Sequence, residues 1–495
     1  MTKSLGLATR LVPFVPKSMT PTPASADSIL MRLVKNASVT DSALLGVSSK
    51  PPGTPAPGQA AAAPRMSQPG PPKPIVREAM GFIPKPPKSL AEAGLLESEI
   101  SSLILKKLFH RSMEAGFRLS EQLGLRLAVI EPVLRQMKAD RLVAYKSTVN
   151  AGDYVYELTD LGRERGRELS QACTYFGTAP VPLQQYAASV AAQSIARQRP
   201  SLDSIRKAFF DLEIPERLLS NIGQAIHSGR GMFLFGNAGN GKTSIAERIT
   251  KSYGDNIWIP RALTAQGEII RLFDPNRHEA IRLDDSVVNE TYDARWVCIR
   301  RPTVIAGGEL RMENLEVNYI RNTGIGEAPL QLKANCGMLL IDDFGRQRMP
   351  VDELLNRWIV PLEQRHDFLH LESGRTIQTP FDQLVVFSTN MEPKDLVEEA
   401  FLRRIPYKIE VKDPTEVEFN KLFLESAAKL RFECSPAALE YLLAKYYRPI
   451  GRSLRFCHPR DLLRQMENRC TLHELPRVVT EEALDQAVEN YFSIM

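Results

Sequence analysis

The octapeptide Gly236-Asn237-Ala238-Gly239-Asn240-Gly241-Lys242-Thr243 follows directly on the apolar run Gly231-Met232-Phe233-Leu234-Phe235. A buried strand that runs into a glycine loop and then into a helix leaves few architectures open. Backbone N–H groups of such a loop can wrap phosphate oxygens, and a helix opening at Thr243 turns its positive end towards the same anion. In that arrangement Lys242 reaches the β- and γ-phosphates, the Thr243 hydroxyl ligates Mg²⁺, and Ser244 completes the binding set. ATP with Mg²⁺ is therefore the expected cofactor pair.

Apolar runs recur where a buried parallel sheet would place strands, at Met232–Phe235, Ile257–Ile259, Met338–Ile341, Leu384–Phe387 and Ile409–Val411. Helical stretches between several of them predict an α/β three-layer core over residues 201–412. The 77 residues from Arg261 to Gly337 exceed one crossover helix and predict an insertion. Residues 413–495 carry four helical patterns, around Val417–Leu430, Pro436–Lys445, Pro459–Cys470 and Glu481–Tyr491. They predict a helical lid.

Four further elements follow the loop in order. Met338-Leu339-Leu340-Ile341-Asp342-Asp343 is a strand ending in acids. Its Asp342 would hold the Mg²⁺ shell and Asp343 would polarise an attacking water. Leu384-Val385-Val386-Phe387-Ser388-Thr389-Asn390 would deliver the Asn390 amide to the γ-phosphate side. Arg403 and Arg404 close a short helix before Ile405, and Cys457-His458-Pro459-Arg460-Asp461 opens another with Arg460.

This ordered set resembles the AAA+ ATPases over residues 200 to 495, about three fifths of the chain. The resemblance implies Walker A at Gly236–Thr243, Walker B at Asp342 and Asp343, sensor 1 at Asn390, sensor 2 at Arg460, and an arginine finger. Arg404 matches the finger best because the family residue directly precedes the apolar one; Arg403 is second. A finger given by a neighbouring subunit implies a ring, commonly a hexamer. The family's second Walker B acid is normally Glu, and here it is Asp343, one methylene shorter, which implies a slow ATPase. Phe368-Leu369-His370-Leu371 and Thr376-Ile377-Gln378 flank Glu372-Ser373-Gly374-Arg375, a hairpin signal. A hairpin there is similar to the pre-sensor-1 branch that includes the MoxR-like ATPases. His366, His370 and His458 lack metal-ligand spacing and are expected to be packing or surface residues.

Upstream, residues 89–175 predict a small α+β unit. Helical periodicity covers Leu95 to Phe109, Arg118–Leu123 and Leu127–Leu142, and the strands Leu142–Tyr145 and Tyr154–Leu158 flank Asn150-Ala151-Gly152-Asp153. Three helices and a hairpin resemble a winged helix, which implies DNA or protein binding. Residues 90–175 hold 12 Lys/Arg and 12 Asp/Glu, without the basic footprint of a phosphate-binding face, so a protein target is preferred and DNA is the alternative. Residues 176–200 are expected to be a linker.

The net charge of +5 hides a division. Residues 1–88 carry 11 Lys/Arg against 3 Asp/Glu, or +8, so the other 407 residues sum to −3. The same 88 residues hold 16 of the 35 prolines and predict a disordered tail, with one apolar patch at Ser28–Val34. Its acid-poor, Ser-containing character also suits a transit peptide. The six cysteines at 173, 298, 336, 434, 457 and 470 are scattered without a Cys-x-x-Cys pair, which suits the reducing cytoplasm. No run of about 18 apolar residues predicts a membrane span. The expectation is an oligomeric ATP-driven remodeller of a protein partner, with an ATP-gated DNA-binding regulator as the alternative.

Overall fold

The computed structural model describes residues 82–150, 152–212, 214–254, 256–282 and 292–493. The expected tail up to residue 81, with its Ser28–Val34 patch, lies outside the described residues. Residues 82–88 are ordered: the Phe82 ring lies 6.0 Å from that of Trp296, and the Pro84 carbonyl accepts the Asp293 N–H at 2.9 Å. One aromatic anchor suffices where composition alone predicts a tail.

The fold is α/β. Five parallel strands lie in the order Thr303–Ala306, Met338–Ile341, Leu384–Thr389, Met232–Phe235 and Tyr407–Glu410. Successive side chains leave opposite faces of a strand, so both faces of this sheet need cover. Met232, Leu234, Leu340 and Val386 face the helices Glu216–Ser228 and Lys242–Ile249 through Ile222, Ile226, Ile245 and Ile249. Phe233, Leu339, Ile341, Val385 and Phe387 face the helix Val351–Gln364 through Leu354, Leu355 and Trp358. The unbroken apolar runs follow from that double burial.

Ile257–Ile259 does not join this sheet, contrary to expectation. Asn256–Pro260 pairs antiparallel with Trp296–Arg300, and Thr303–Ala306 takes the edge beside Met338–Ile341. A short apolar run reads the same in a ribbon as in a sheet. Here the partner decides it, with Trp258, Trp296, Cys298 and Val181 forming their own cluster. Four strands of the insertion, Ala262–Ala265, Glu268–Arg271, Asn318–Ile320 and Ile325–Glu327, form a second five-stranded sheet with Val181–Pro182 from upstream.

The stretch expected as a linker is structured too. Leu183–Gln193 is a helix whose Tyr186 and Val190 are buried with the second sheet. The Tyr186 hydroxyl donates to the Leu332 carbonyl at 3.1 Å, and the Gln193 amide exchanges hydrogen bonds with the Trp258 backbone at 2.9 and 2.7 Å. Its apolar positions at i and i+4 are a helical signal that a boundary drawn on composition passes over.

Upstream, the helices Glu97–Arg111, Gly116–Leu123 and Leu127–Ala139 surround a sheet ordered Met113–Ala115, Asp153–Leu158, Val143–Asn150, and the helix Asp160–Ala172 follows. Their core runs on into the second sheet, taking in Ala262 and touching Ile269 and Ile325. A buried ion pair fixes that junction. Arg295, 1% exposed, meets the Asp293 carboxylate at 2.8 Å and donates to the Ala93 carbonyl at 3.1 Å. Downstream, Glu416–Lys429, Pro436–Tyr446, His458–His473 and Glu481–Phe492 are four helices around one apolar core. No helix among the described residues is long and apolar enough to cross a membrane.

Breaking a buried pair by removing one partner leaves an uncompensated charge, at about 3–5 kcal/mol. Arg295→Ala is expected to lower the unfolding free energy by about that amount, and Arg295→Met with Asp293→Leu by much less. Denaturant unfolding of the single and double variants checks this.

Candidate functional site

The loop strand Met232–Phe235 lies between Leu384–Thr389 and Tyr407–Glu410 and runs parallel to both. In an open parallel sheet, ligands bind in the crevice outside the carboxyl ends of the strands. Residues 236–241 occupy it, and the helix Lys242–Ile249 begins there. Two glycines are required by geometry. A Cβ on Gly236, at φ 131°, would lie 2.4 Å from the Val411 carbonyl oxygen; one on Gly239, at φ 84°, would lie 2.6 Å from Cys457 Sγ. Asn237, Ala238 and Gly239 are exposed at the tip, whereas Asn240 is buried. Gly241, at φ 77°, caps the helix, and Ser244 lies half-buried in its first turn.

Lys242 curls back over this loop and donates Nζ–H to the carbonyls of Gly236 at 2.9 Å and Asn237 at 3.0 Å. Burial lowers its proton affinity, while the carboxylates of Asp342 and Asp343 raise it and Arg455 opposes them. Thr243 Oγ1 donates to Asp342 Oδ2 at 2.7 Å, across 99 residues of sequence. That contact joins the head of the helix to the end of the Met338–Ile341 strand. Both side chains are hard oxygen donors, the kind Mg²⁺ takes, and Mg²⁺ usually completes its octahedron with water and phosphate oxygens. No group of three or more His, Cys, Asp or Glu side chains suited to a metal occurs among the described residues. The pair therefore fits a cation shared with a phosphate, not an all-protein cage.

Asp343 sits exposed at the next position with φ 49°, a conformation uncommon for a residue with a Cβ. Its N–H donates to Asp342 Oδ1 at 3.1 Å, and the Gln347 amide holds the carbonyls of both acids at 3.1 Å. Asn390 follows directly on Thr389, which is in register with Phe235, so it leaves the sheet level with Gly236. The acids, Asn390 and the loop thus share one edge of the sheet.

The arginines differ. Arg404 donates Nε–H to Glu363 of the Val351–Gln364 helix at 2.5 Å and is 27% exposed. Arg403 is 78% exposed and ion-paired with Glu399, four residues before it, at 3.3 Å. Arg460, 59% exposed, bonds Asp461 at 2.9 Å.

Sequence reasoning missed a contact set between the loop and the C-terminal segment. The Asp413 carboxylate accepts from the amides of Asn237, at 3.1 Å, and Asn240, at 2.7 Å, and is ion-paired with Arg455. The Cys457 N–H donates to the Gly239 carbonyl at 3.0 Å. Beside them His458 is buried, its Nδ1 3.0 Å from the Tyr447 hydroxyl and its ring edge-on to Phe492. Burial, with the charges of Arg455 and Arg452, pushes the imidazole down to about 4.

The family model that matches the chain covers residues 415–490 and is described as a domain of unknown function, DUF8689. No curated protein matches in sequence. Among solved structures, the chain is similar to the RuvB Holliday junction branch migration motor of Thermotoga maritima, at 15% identity and a TM-score of 0.33 over 58% of this chain and 73% of that one. It is also similar to NtrX from Brucella abortus, at 13% identity and 0.38, over 57% of this chain and 55% of that one. NtrX in complex with ATP aligns at 13% identity and 0.36, over 56% and 58%.

The His458 shift has a definite sign. Its folded value lies below the ordinary 6.5, so between pH 6.5 and about 4 the unfolded chain binds a proton that the folded one excludes. Stability is expected to fall as pH drops through that window. Thermal unfolding of His458→Asn, which keeps an acceptor near Tyr447, should show a shallower fall than wild type over that range.

Proposed function

We propose that the chain is an AAA+-type ATPase that binds ATP with Mg²⁺ and hydrolyses it as a ring oligomer, remodelling a protein partner. The observation that carries this reading is the Thr243–Asp342 hydrogen bond at the head of the glycine loop, which brings a helix-start hydroxyl and a strand-end carboxylate to one point. In this reading residues 201–412 are the nucleotide core, 413–495 the lid, and 89–175 a winged-helix-like recognition unit after a Pro-rich tail.

The chain's own groups divide the work. The N–H groups of residues 236–243 and Lys242 cradle the phosphates, with Lys242 exchanging the Gly236 and Asn237 carbonyls for phosphate oxygens. Thr243 and Asp342 would hold the cation, whose charge would offset that developing on the phosphates. Asp343 accepts the proton of a water whose oxygen bonds to the γ-phosphorus while the bridging β,γ P–O bond breaks. Asn390 orients that water. A neighbouring subunit's Arg403 or Arg404 stabilises the transferring group, and Arg460 reports it to the lid. Between the two finger candidates, the exposed Arg403 would cross a subunit boundary without giving up a partner on another helix, whereas Arg404 would first have to leave Glu363.

A protein target is favoured over DNA because cations of the 89–175 unit are matched by their neighbours. Arg135 bonds Glu131 at 2.7 Å, Lys146 bonds Glu157 at 2.8 Å, and the Lys138 ammonium lies 3.6 Å over the Tyr145 ring. Such exposed pairs add little stability, but they leave little net field for phosphates.

Turnover per subunit is expected to rise with protein concentration and to vanish in Lys242→Ala. Arg403→Ala and Arg404→Ala, assayed side by side, should single out the finger by a loss of about 10³–10⁵ in kcat. Asp343→Glu should raise kcat, by as much as about 10²-fold if carboxylate reach limits the wild type. Negligible ATP binding by the wild type would overturn the reading, and a salt-dependent shift of duplex DNA would transfer the target from protein to DNA.

A further inference from the structure

We propose that Arg455 is a phosphate-contacting residue of the nucleotide site and that Asp413 is its latch, so that the bound anion and the Asp413 carboxylate compete for one guanidinium. This rests on the ATP-site reading above and adds to it a residue and a mode of coupling.

Four observations place Arg455 beside the loop. It is ion-paired with Asp413, and that carboxylate also holds the loop amides of Asn237 and Asn240. Two residues on, the Cys457 N–H bonds the Gly239 carbonyl. Arg455 Cβ lies 3.7 Å from where a Gly239 Cβ would stand. Its charge is felt at Lys242, where it opposes the acids. Among the described residues, Arg460 shares none of these contacts and bonds its neighbour Asp461. Of these two arginines, the one lying over the loop is Arg455.

The chemistry of the partners makes the pair an exchange point. A guanidinium is a planar fork that suits carboxylate and phosphate alike, and a phosphate offers more charge and more acceptor oxygens. Asp413 sits beside the loop that would hold a polyanion, so it repels that ligand while it restrains Arg455. When Arg455 turns from Asp413 to a phosphate, Asp413 keeps its Asn237 and Asn240 hydrogen bonds and stays satisfied. The segment 455–457 leads straight into the helix His458–His473, so the exchange moves the C-terminal helices against the sheet. Asp413 itself is held ionised: burial pushes its carboxyl up, but the hydrogen bonds from Asn240, Asn237 and Arg455 outweigh this and hold it below the usual range.

The test is titration of the full chain with a fluorescent ATP analogue and its ADP counterpart, in Mg²⁺. Asp413→Asn is expected to tighten ATP binding several-fold, a gain that misfolding cannot mimic. Arg455→Ala is expected to weaken it about 10- to 100-fold, as loss of a charged hydrogen bond does, with Arg455→Lys between the two. Wild-type binding with both Arg455→Ala and Asp413→Asn unchanged would overturn this inference and leave the ATP-site reading standing. So would a loss confined to Arg460→Ala. Absence of ATP binding in the wild type, with Lys242→Ala indistinguishable from it, would overturn both.

Discussion

The double burial of one short strand governs the rest. Met232–Phe235 carries Met232 and Leu234 to one layer and Phe233 to the other, and its neighbours on either side run parallel to it. A strand so placed cannot slip by one residue without turning Phe233 into the wrong core. Its register with Leu384–Thr389 therefore fixes where Gly236 begins and where Asn390 emerges. The next strand, Met338–Ile341, is in turn held by Leu384–Thr389, and this sets Asp342 opposite Thr243. Site geometry here is a consequence of sheet register, which apolar packing sets far more firmly than the polar contacts at the rim could.

The loop itself is shaped by what lies outside the sheet. Gly236 is pressed on the Val411 backbone and Gly239 on Cys457, so these two glycines admit the chain segments that cross the loop. The Asn237 and Asn240 side chains then spend their amides on Asp413. A flexible glycine loop is thereby tied at three points to residues more than 170 positions away in sequence. Those ties make the loop conformation answerable to the C-terminal helices.

What could be read from the sequence follows from how local the signal is. The glycine loop, the acid-ended strand, the hairpin His366–His370 with Thr376–Pro380 and the four C-terminal helices are all written in consecutive residues, and they form where the pattern places them. Ile257–Ile259 was ambiguous because an Ile-Trp-Ile run gives no hint of its partner, and the partner is Trp296–Arg300. The helix Leu183–Gln193 carries only a faint signal, because small and polar residues dilute its buried Tyr186 and Val190. Asp413 and Arg455 carry no spacing signal at all. One is an acid just past a strand, the other one of 63 Lys/Arg, and only the fold sets them against Asn237 and Asn240.

The helix Val351–Gln364 shows why such non-local pairs matter for motion. It begins eight residues after Asp343, at the end of the loop that carries Asp342 and Asp343. Midway, Arg357 grips the buried Asp367 at the root of the hairpin, at 2.6 and 3.1 Å, and Glu316 of the insertion at 2.9 Å. Near its end, Glu363 holds Arg404. Glu268 of the second sheet accepts the N–H groups of Glu372 and Ser373 at the hairpin tip, both at 3.1 Å, so hairpin and insertion are joined at both ends. A displacement of the acid turn is applied to the start of this one helix and reaches the hairpin root, the insertion and the arginine pair together. Asp367 is buried and Arg357 and Glu316 are half-buried, where solvent screens charges least and where separating them costs most, whereas Glu363 is exposed. Movement of the whole assembly as a block therefore costs less than movement within it.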